Sequence, residues 1–399
     1  MIVSIAKGIP SGTANFPPSK SYAHRYLIGG MLSKSSQIDH IEYSEDISAT
    51  LDCLSALGAS LEKSPSSVLF SGIRPISNEL VLPCRESGST LRFFLPLGCL
   101  FSSSFSLTGA KRLLERGVAP YEACLSPHGI QIQNHGDRIS VQGRLTPGVF
   151  HLDGTTSSQY LTGLLFALPL LPGDSEIRIL GNRASSHYTS MTLQTLKDFH
   201  IQIQETKTGY CVPGNQRYEG GRFLVEADAS NAAFLSAFQA LGAPLSLPSI
   251  SPNSLQGDRI FASLFQTLKA GFAEINVDSC IDLAPILFAF ASLCYGGRFT
   301  GIERLAIKES SRAEAMKEEL AKAGVFVELT PHWAVVHPFE KTKGKLSFSS
   351  HNDHRIAIAL SLFSLTNDIE ISGSEAVKKS YPNYFQELAR LGMEVKEHE

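Results

Sequence analysis

Lys20, Arg25, Arg92 and Arg355 stand in or beside the first turns of segments that are otherwise almost wholly apolar. Cations there oppose the helix dipole, at a cost of about 0.3–1 kcal/mol each when exposed. An anion at the same mouth removes the conflict, because backbone N–H groups and the Arg or Lys then serve one phosphate or carboxylate. Six polar lead-ins precede such segments: Ser19-Lys20-Ser21, Glu86-Ser87-Gly88-Ser89-Thr90, Thr155-Thr156-Ser157-Ser158-Gln159, Asp228-Ala229-Ser230, Asp278-Ser279-Cys280-Ile281-Asp282 and Asn352-Asp353-His354-Arg355. Their Ser, Thr, Asp and Asn residues are also ordinary N-caps, worth ~1 kcal/mol each. Several such mouths brought together suit a small polyanion. Asp282, alone at the start of an apolar helix, reads either as an N-cap or as a carboxylate tuned by partial burial for general-base work. Glu309 and Arg312, three residues apart, read either as a solvated ion pair on a helix face or as part of a site. There is no P-loop, no GxGxxG after a strand and no HExxH. His351 and His354 lack a third ligand at metal-binding spacing, so no metal is expected.

The elements that must carry these residues repeat. Six segments are nearly all apolar: Tyr22–Leu32, Leu91–Phe101, Tyr160–Leu170, Ala232–Leu241, Leu283–Leu293 and Ile356–Leu365. Helices apolar all round belong in a core. Each alternates with an amphipathic helix that ends in a glycine-type junction and leads into a short strand. The junctions fall at 58, 129, 200, 271, 324 and 392, with His200 in the glycine's place, so the steps are 71, 71, 71, 53 and 68. Six units divide into two α/β domains of three, with the break expected near Gly220–Asp228. A length of 399 residues also favours two domains. Only 18% of residues are charged, below the ~25% of an average soluble chain, which implies large buried elements. The net charge of -3 offers no polycation for nucleic acid or a membrane surface. No apolar run reaches the ~18 residues of a membrane span, and no secretory leader is seen at the start. Seven scattered cysteines without a CxxC point to a reduced, cytoplasmic setting.

In their order along the chain, the lead-ins resemble the 5-enolpyruvylshikimate-3-phosphate synthase family. The resembling segments are Pro18-Ser19-Lys20-Ser21-Tyr22-Ala23-His24-Arg25, Glu86 to Arg92, Leu107-Thr108-Gly109 with Leu114-Glu115-Arg116, Ser157 to Thr162, Glu226 to Ser230, Ile307 to Arg312, Asn352 to Arg355, and Lys379 before Tyr381-Pro382-Asn383. The resemblance implies two similar domains, each of three βαβαββ-like units around buried helices, with the active site in the interdomain cleft. It implies domains at 19–226 and at 1–18 with 227–399. It implies transfer of the enolpyruvyl group of phosphoenolpyruvate to the 5-hydroxyl of shikimate 3-phosphate, without metal or organic cofactor, in a protein expected to be monomeric. Lys20, Ser21, Arg25, Ser157, Ser158, Gln159, Ser185, Tyr188, Asp282 and Lys308 would meet shikimate 3-phosphate. Lys20, Gly88, Arg92, Arg116, Gln159, Arg312, Arg355 and Lys379 would meet phosphoenolpyruvate. Asp282, Glu309 and Lys20 would move protons. Gly117 after Arg116 and Phe93 after Arg92 depart from relatives that have proline there; Gly88 leaves room for glyphosate, so sensitivity is expected. Two rivals remain: the sister enzyme acting on UDP-N-acetylglucosamine, whose first signature usually begins Lys-Asn rather than Lys20-Ser21, and a non-catalytic anion-binding protein, which has no use for Asp282 and Glu309.

Overall fold

The computed structural model describes residues 1–76, 79–181, 186–340 and 344–398. The chain forms two compact units, Pro18–Glu226 and Met1–Pro17 with Ala227–Glu399.

Among the described residues, Pro18–Glu226 holds three four-stranded sheets of one design, a parallel pair followed by an antiparallel pair. Leu80–Pro83 runs parallel to Ser104–Thr108, which pairs antiparallel with Arg138–Gln142, and that with Gln131–Asn134. Val149–Asp153, Ser175–Leu180, Gly209–Val212 and Gln204–Glu205 repeat the pattern. In the remaining sheet the parallel partner of Ser36–Asp39 is Arg222–Leu224, so the end of the unit supplies the strand its beginning lacks. Parallel neighbours require a crossover, and here it is a buried helix. The helices are Gly88–Phe101 and Ser158–Ala167, with Lys20–Leu32 preceding the third sheet's strands. Glycines set how closely they pack. A Cβ on Gly163 would lie 2.6 Å from the Arg92 carbonyl, so helices Gly88–Phe101 and Ser158–Ala167 touch backbone to backbone there. That proximity brings their first turns, and the polar lead-ins on them, side by side.

The second unit has two four-stranded sheets of the same design. One is Ala273–Asn276, Gly297–Thr300, Trp333–Val336 and Val327–Leu329. In the other, Ile2–Ile5 lies between Ile369–Ser372 and Val395–His398, with Leu346–Ser349 outermost. Its buried helices are Ala229–Ala240, Ala284–Ser292 and His354–Leu360, and all nine residues of Ala284–Ser292 are buried. Among the described residues the fourth repeat is incomplete, with a sheet of Gly12–Thr13 beside Leu245–Ser246. The strand after Gly271 does not close that unit but opens the next sheet, in parallel with Gly297–Thr300. This corrects the reading of a strand equivalent to the other five and accounts for the short step of 53 residues. The backbone agrees. Gly58, Gly129, His200, Gly324 and Gly392 take φ between 62° and 92°, ending their helices in the left-handed region, whereas Gly271 has φ 159°.

Candidate active site

In Pro18–Glu226, Ser19, Ser87 and Ser157 each cap their helix by accepting a backbone N–H. The N-cap reading therefore holds for these three lead-ins. Lys20 Nζ donates to Asp46 Oδ2 at 2.7 Å. Arg25 is 2% exposed and donates to Thr192 Oγ1, the Ser21 carbonyl and the Tyr188 carbonyl at 2.9, 2.7 and 3.1 Å. Its guanidinium also lies over the rings of Phe93 and Tyr188. Burial pushes Arg25 down to about 10. The hydrogen-bond partners of Arg25 are neutral oxygens, so none of them cancels its charge, which favours an anion nearby.

Arg92 Nη1 donates to Gln159 Oε1 at 2.6 Å, and Gln159 Nε2 donates to Ser89 Oγ at 3.0 Å. Gln159 thereby ties two lead-ins together. The Tyr121 hydroxyl lies 2.6 Å from the Tyr160 carbonyl and 2.9 Å from that of Arg92, locking the same helix pair from behind. Arg116 follows the short helix Lys111–Glu115, and its guanidinium meets that of Arg92 at Gly88. A Cβ on Gly88 would lie 2.8 Å from Arg92 Nη1 and 3.2 Å from Arg116 Nη1. Two arginines converging on a bare backbone have the geometry to cradle a doubly charged anion. Ser158 is buried in the first turn and Ser157 is half-buried; Ser185 lies outside the described residues.

The second unit carries a different cluster, of carboxylates as well as cations. Asp282 Oδ1 accepts from Arg312 Nη1 at 2.7 Å and Lys308 Nζ at 3.2 Å, and Arg355 Nη2 stands 3.4 Å from Oδ2. Asp282 is not a cap: Leu283 occupies that position before Ala284–Ser292 and makes no side-chain cap bond. Nor is it an isolated carboxylate, since three cations face it. Arg312, 1% exposed, also donates Nε to Asp353 Oδ2 at 2.8 Å and Nη2 to Glu309 Oε2 at 2.7 Å. The Glu309–Arg312 pair is therefore part of a buried network and not a solvated helix face. Burial pushes the Lys308 ammonium down from its usual range, with Asp282 pulling the other way. Lys379 Nζ donates to the Asn352 carbonyl at 2.6 Å, and His351 and Asn352 both hold left-handed φ near 50°. Asp353 caps His354–Leu360 through the Arg355 N–H.

Sequence reasoning missed Asp46, Asp353 and Asp258. Asp353 stood inside a quoted motif, so its type and place were visible; Asp46 looked like an ordinary first-turn acid of Glu45–Ala56. Glu318, Glu319 and His351 bring ligand atoms within 4.8 Å of one another, but the Glu319 carboxylate already accepts from Lys322, His351 and the Ser349 N–H.

Asp258, 5% exposed, accepts from Ser230 Oγ. Burial first, and then the nearby Asp282 charge, push its carboxyl up to about 6. Such a group binds protons more tightly folded than unfolded, so it subtracts from stability as pH rises from about 4 through about 6. Asparagine has no such dependence. The thermal midpoint of Asp258→Asn relative to wild type is expected to rise between about pH 4.5 and about pH 7.5. A difference that stays flat with pH would show that Asp258 does not titrate there.

A model of the EPSP synthase (3-phosphoshikimate 1-carboxyvinyltransferase) family matches residues 8–388. The 3-phosphoshikimate 1-carboxyvinyltransferase of Clostridium kluyveri is 35% identical, covering 99% of this chain and 98% of the relative. That of Clostridioides difficile is 34% identical over 97% of this chain and 96% of the relative. The structure of EPSP synthase from Acinetobacter baumannii superimposes with a TM-score of 0.80 at 22% identity, over 99% of this chain and all of that one, a likeness of fold.

Proposed function

The chain belongs to the EPSP synthase (3-phosphoshikimate 1-carboxyvinyltransferase) family, and from that premise we propose how its two clusters divide the work. The reaction moves the enolpyruvyl group of phosphoenolpyruvate onto the 5-hydroxyl of shikimate 3-phosphate and releases phosphate, in the shikimate pathway to chorismate. The observation that carries the proposal is Asp282, a carboxylate held by Lys308, Arg312 and Arg355 beside Glu309. Pure anion binding has no need of acids among its cations; a proton-transfer reaction does.

In this reading Ser157, Ser158, Ser21, Arg25, Gln159, Ser185, Tyr188, Asp282 and Lys308 receive shikimate 3-phosphate. Gly88, Arg92, Arg116, Gln159, Arg312, Arg355 and Lys379 receive phosphoenolpyruvate, and Lys20 touches both. Asp282 accepts the proton of the 5-hydroxyl as its oxygen bonds to C2. Glu309 or Lys20 delivers a proton to the methylene carbon, giving a tetrahedral intermediate. Loss of a proton from the new methyl group and departure of phosphate then restore the double bond. The cations offset the charge of two anionic substrates as they approach. Both clusters serve one turnover, in a cytoplasmic monomer; among the described residues no helix is long and apolar enough to cross a membrane.

Phosphate release from shikimate 3-phosphate with phosphoenolpyruvate, with UDP-N-acetylglucosamine as competing acceptor, tests the acceptor. Release with the sugar nucleotide alone would reverse the assignment. Gly88→Ala tests the cradle. The added methyl must push back both guanidinium groups, so KM for phosphoenolpyruvate is expected to rise about 10-fold while KM for shikimate 3-phosphate changes less than about 2-fold. Equal changes in the two would take Gly88 out of the donor site.

A further inference from the structure

A string of buried polar groups runs behind the donor cradle and is used by none of the chemistry above. His24 Nδ1 lies 2.7 Å from Thr50 Oγ1, Thr50 Oγ1 lies 2.9 Å from Thr90 Oγ1, and Thr90 Oγ1 donates to Ser87 Oγ at 2.7 Å. Thr50 and Thr90 are fully buried, and His24 and Ser87 are each 1% exposed. The string joins three helices, Lys20–Leu32, Glu45–Ala56 and Gly88–Phe101, and ends on the cap residue that precedes Gly88.

Its proton order is determined from the cradle end. Thr90 gives its hydroxyl hydrogen to Ser87, so Thr50 must give its own to Thr90, and His24 must donate Nδ1–H to Thr50. Burial first, and then the charges of Lys20 and Arg25, disfavour the imidazolium form of His24. Its Nε2 is buried without a hydrogen-bond partner, and its ring meets Phe93 edge-on. A histidine this well sealed cannot exchange protons with substrate, so its part is geometric. Thr50 and Thr90 each accept from one neighbour and donate to the next, and Ser87 Oγ also accepts the Thr90 N–H, so the string ties the first turn of Gly88–Phe101 to the two neighbouring helices.

We propose that His24, Thr50 and Thr90 are positioning residues that set the Ser87-Gly88 turn for phosphoenolpyruvate; this rests on the reading above, in which that turn receives the donor. Thr50 is the informative node, since it shares a hydrogen bond with both neighbours and lies in no lead-in.

The test compares Thr50→Val, which keeps the shape and removes the hydroxyl, with Thr50→Ser, which keeps the hydroxyl and removes a methyl. Steady-state phosphate release is measured with each substrate varied. Thr50→Val is expected to raise KM for phosphoenolpyruvate about 10-fold, with KM for shikimate 3-phosphate within about 2-fold of wild type, and Thr50→Ser to stay within about 2-fold for both. A packing role reverses the order, with valine harmless and serine harmful. That reversal, wild-type kinetics in Thr50→Val, or equal changes for both substrates would overturn the proposal. Should Thr50→Val not fold, His24→Asn, which can place an amide donor where Nδ1 stands, is compared with His24→Leu, and the same order is expected. Failure of the wild-type protein to release phosphate from this substrate pair removes the functional reading itself, and the proposal with it; an active wild type beside an unaffected valine variant removes the proposal alone.

Discussion

Asp282→Asn should cut kcat about 10³-fold while leaving both substrates bound, because the asparagine oxygen can still accept from Arg312 and Lys308 but the amide cannot take a hydroxyl proton. General-base groups contribute ~10²–10⁴-fold, so a loss of this size is the whole of such a role and no more. Charge works in favour of binding in the variant. Lys308, Arg312 and Arg355 all face the carboxylate now, and without it they confront an anionic ligand with one more uncompensated positive charge. Steady-state phosphate release gives kcat, and calorimetric titration with shikimate 3-phosphate gives the affinity. A kcat within 10-fold of wild type, less than the ~10² floor for such a group, would leave Asp282 as scaffolding and shift the proton to another group, for which Glu309, 2.7 Å from Arg312, is the nearest candidate in the network. A collapse in affinity along with kcat would instead show that the Asp282 carboxylate is needed to hold the acceptor and not only to take its proton.

The sequence announced where this site would lie more clearly than how it is wired. Polar lead-ins on apolar helices are a local pattern, and five of them do cap their helices through Ser19, Ser87, Ser157, Asp228 and Asp353. The exception is the lead-in to Ala284–Ser292. Residues Asp278–Leu283 form a tight 3-10 turn broken at Cys280, whose φ of -131° and ψ of 43° are non-helical. That break turns Asp282 away from capping and toward the cations, and nothing in the residue types from 278 to 283 foretells it. The pairing of Lys20 with Asp46 and that of Arg312 with Asp353 were equally hidden. An acid in a first turn, such as Asp46, is what a helix dipole favours anyway, so its pairing with Lys20 leaves no trace in the sequence. Asp353 serves as helix cap and as ligand of Arg312 together, and the first role conceals the second.

The repeat was legible because five of the six copies need a left-handed residue at one fixed place, where even His200 complies with φ 62°. What the short step meant was not legible. The missing strands at the fourth unit show only as a smaller count of residues, and the strand after Gly271 has the same local pattern whichever sheet it joins. Pairing over long separations is the general case of this difficulty. Ile2–Ile5 sits between Ile369–Ser372 and Val395–His398, and four alternating residues carry no information about partners so distant.

Arg312 is where stability and chemistry share one side chain, and Arg312→Met should expose both. The guanidinium touches Asp282, Glu309 and Asp353, and neither Arg312 nor Asp353 has more than 1% of its surface exposed. Removing one member of a buried ionic group leaves charges without compensation, at about 3–5 kcal/mol. For a unit of about 150–250 residues, each 1 kcal/mol moves the midpoint by roughly 2–4 °C, so a fall of roughly 6–20 °C is expected at neutral pH. Arg312→Lys should fall between, because a point charge cannot serve carboxylates on three sides of a planar fork. The double variant Arg312→Met with Asp353→Asn should recover part of the loss, since the most buried of the three acids is then neutral. Thermal unfolding of the four proteins separates the alternatives. Were Arg312 kept only to grip the donor substrate, the methionine variant would lose phosphoenolpyruvate affinity at an unchanged midpoint. With the midpoint and phosphoenolpyruvate affinity falling together, and only the midpoint partly restored by Asp353→Asn, the arginine both holds Asp282 and Glu309 at their stations and grips the donor, so its loss lowers stability and turnover alike.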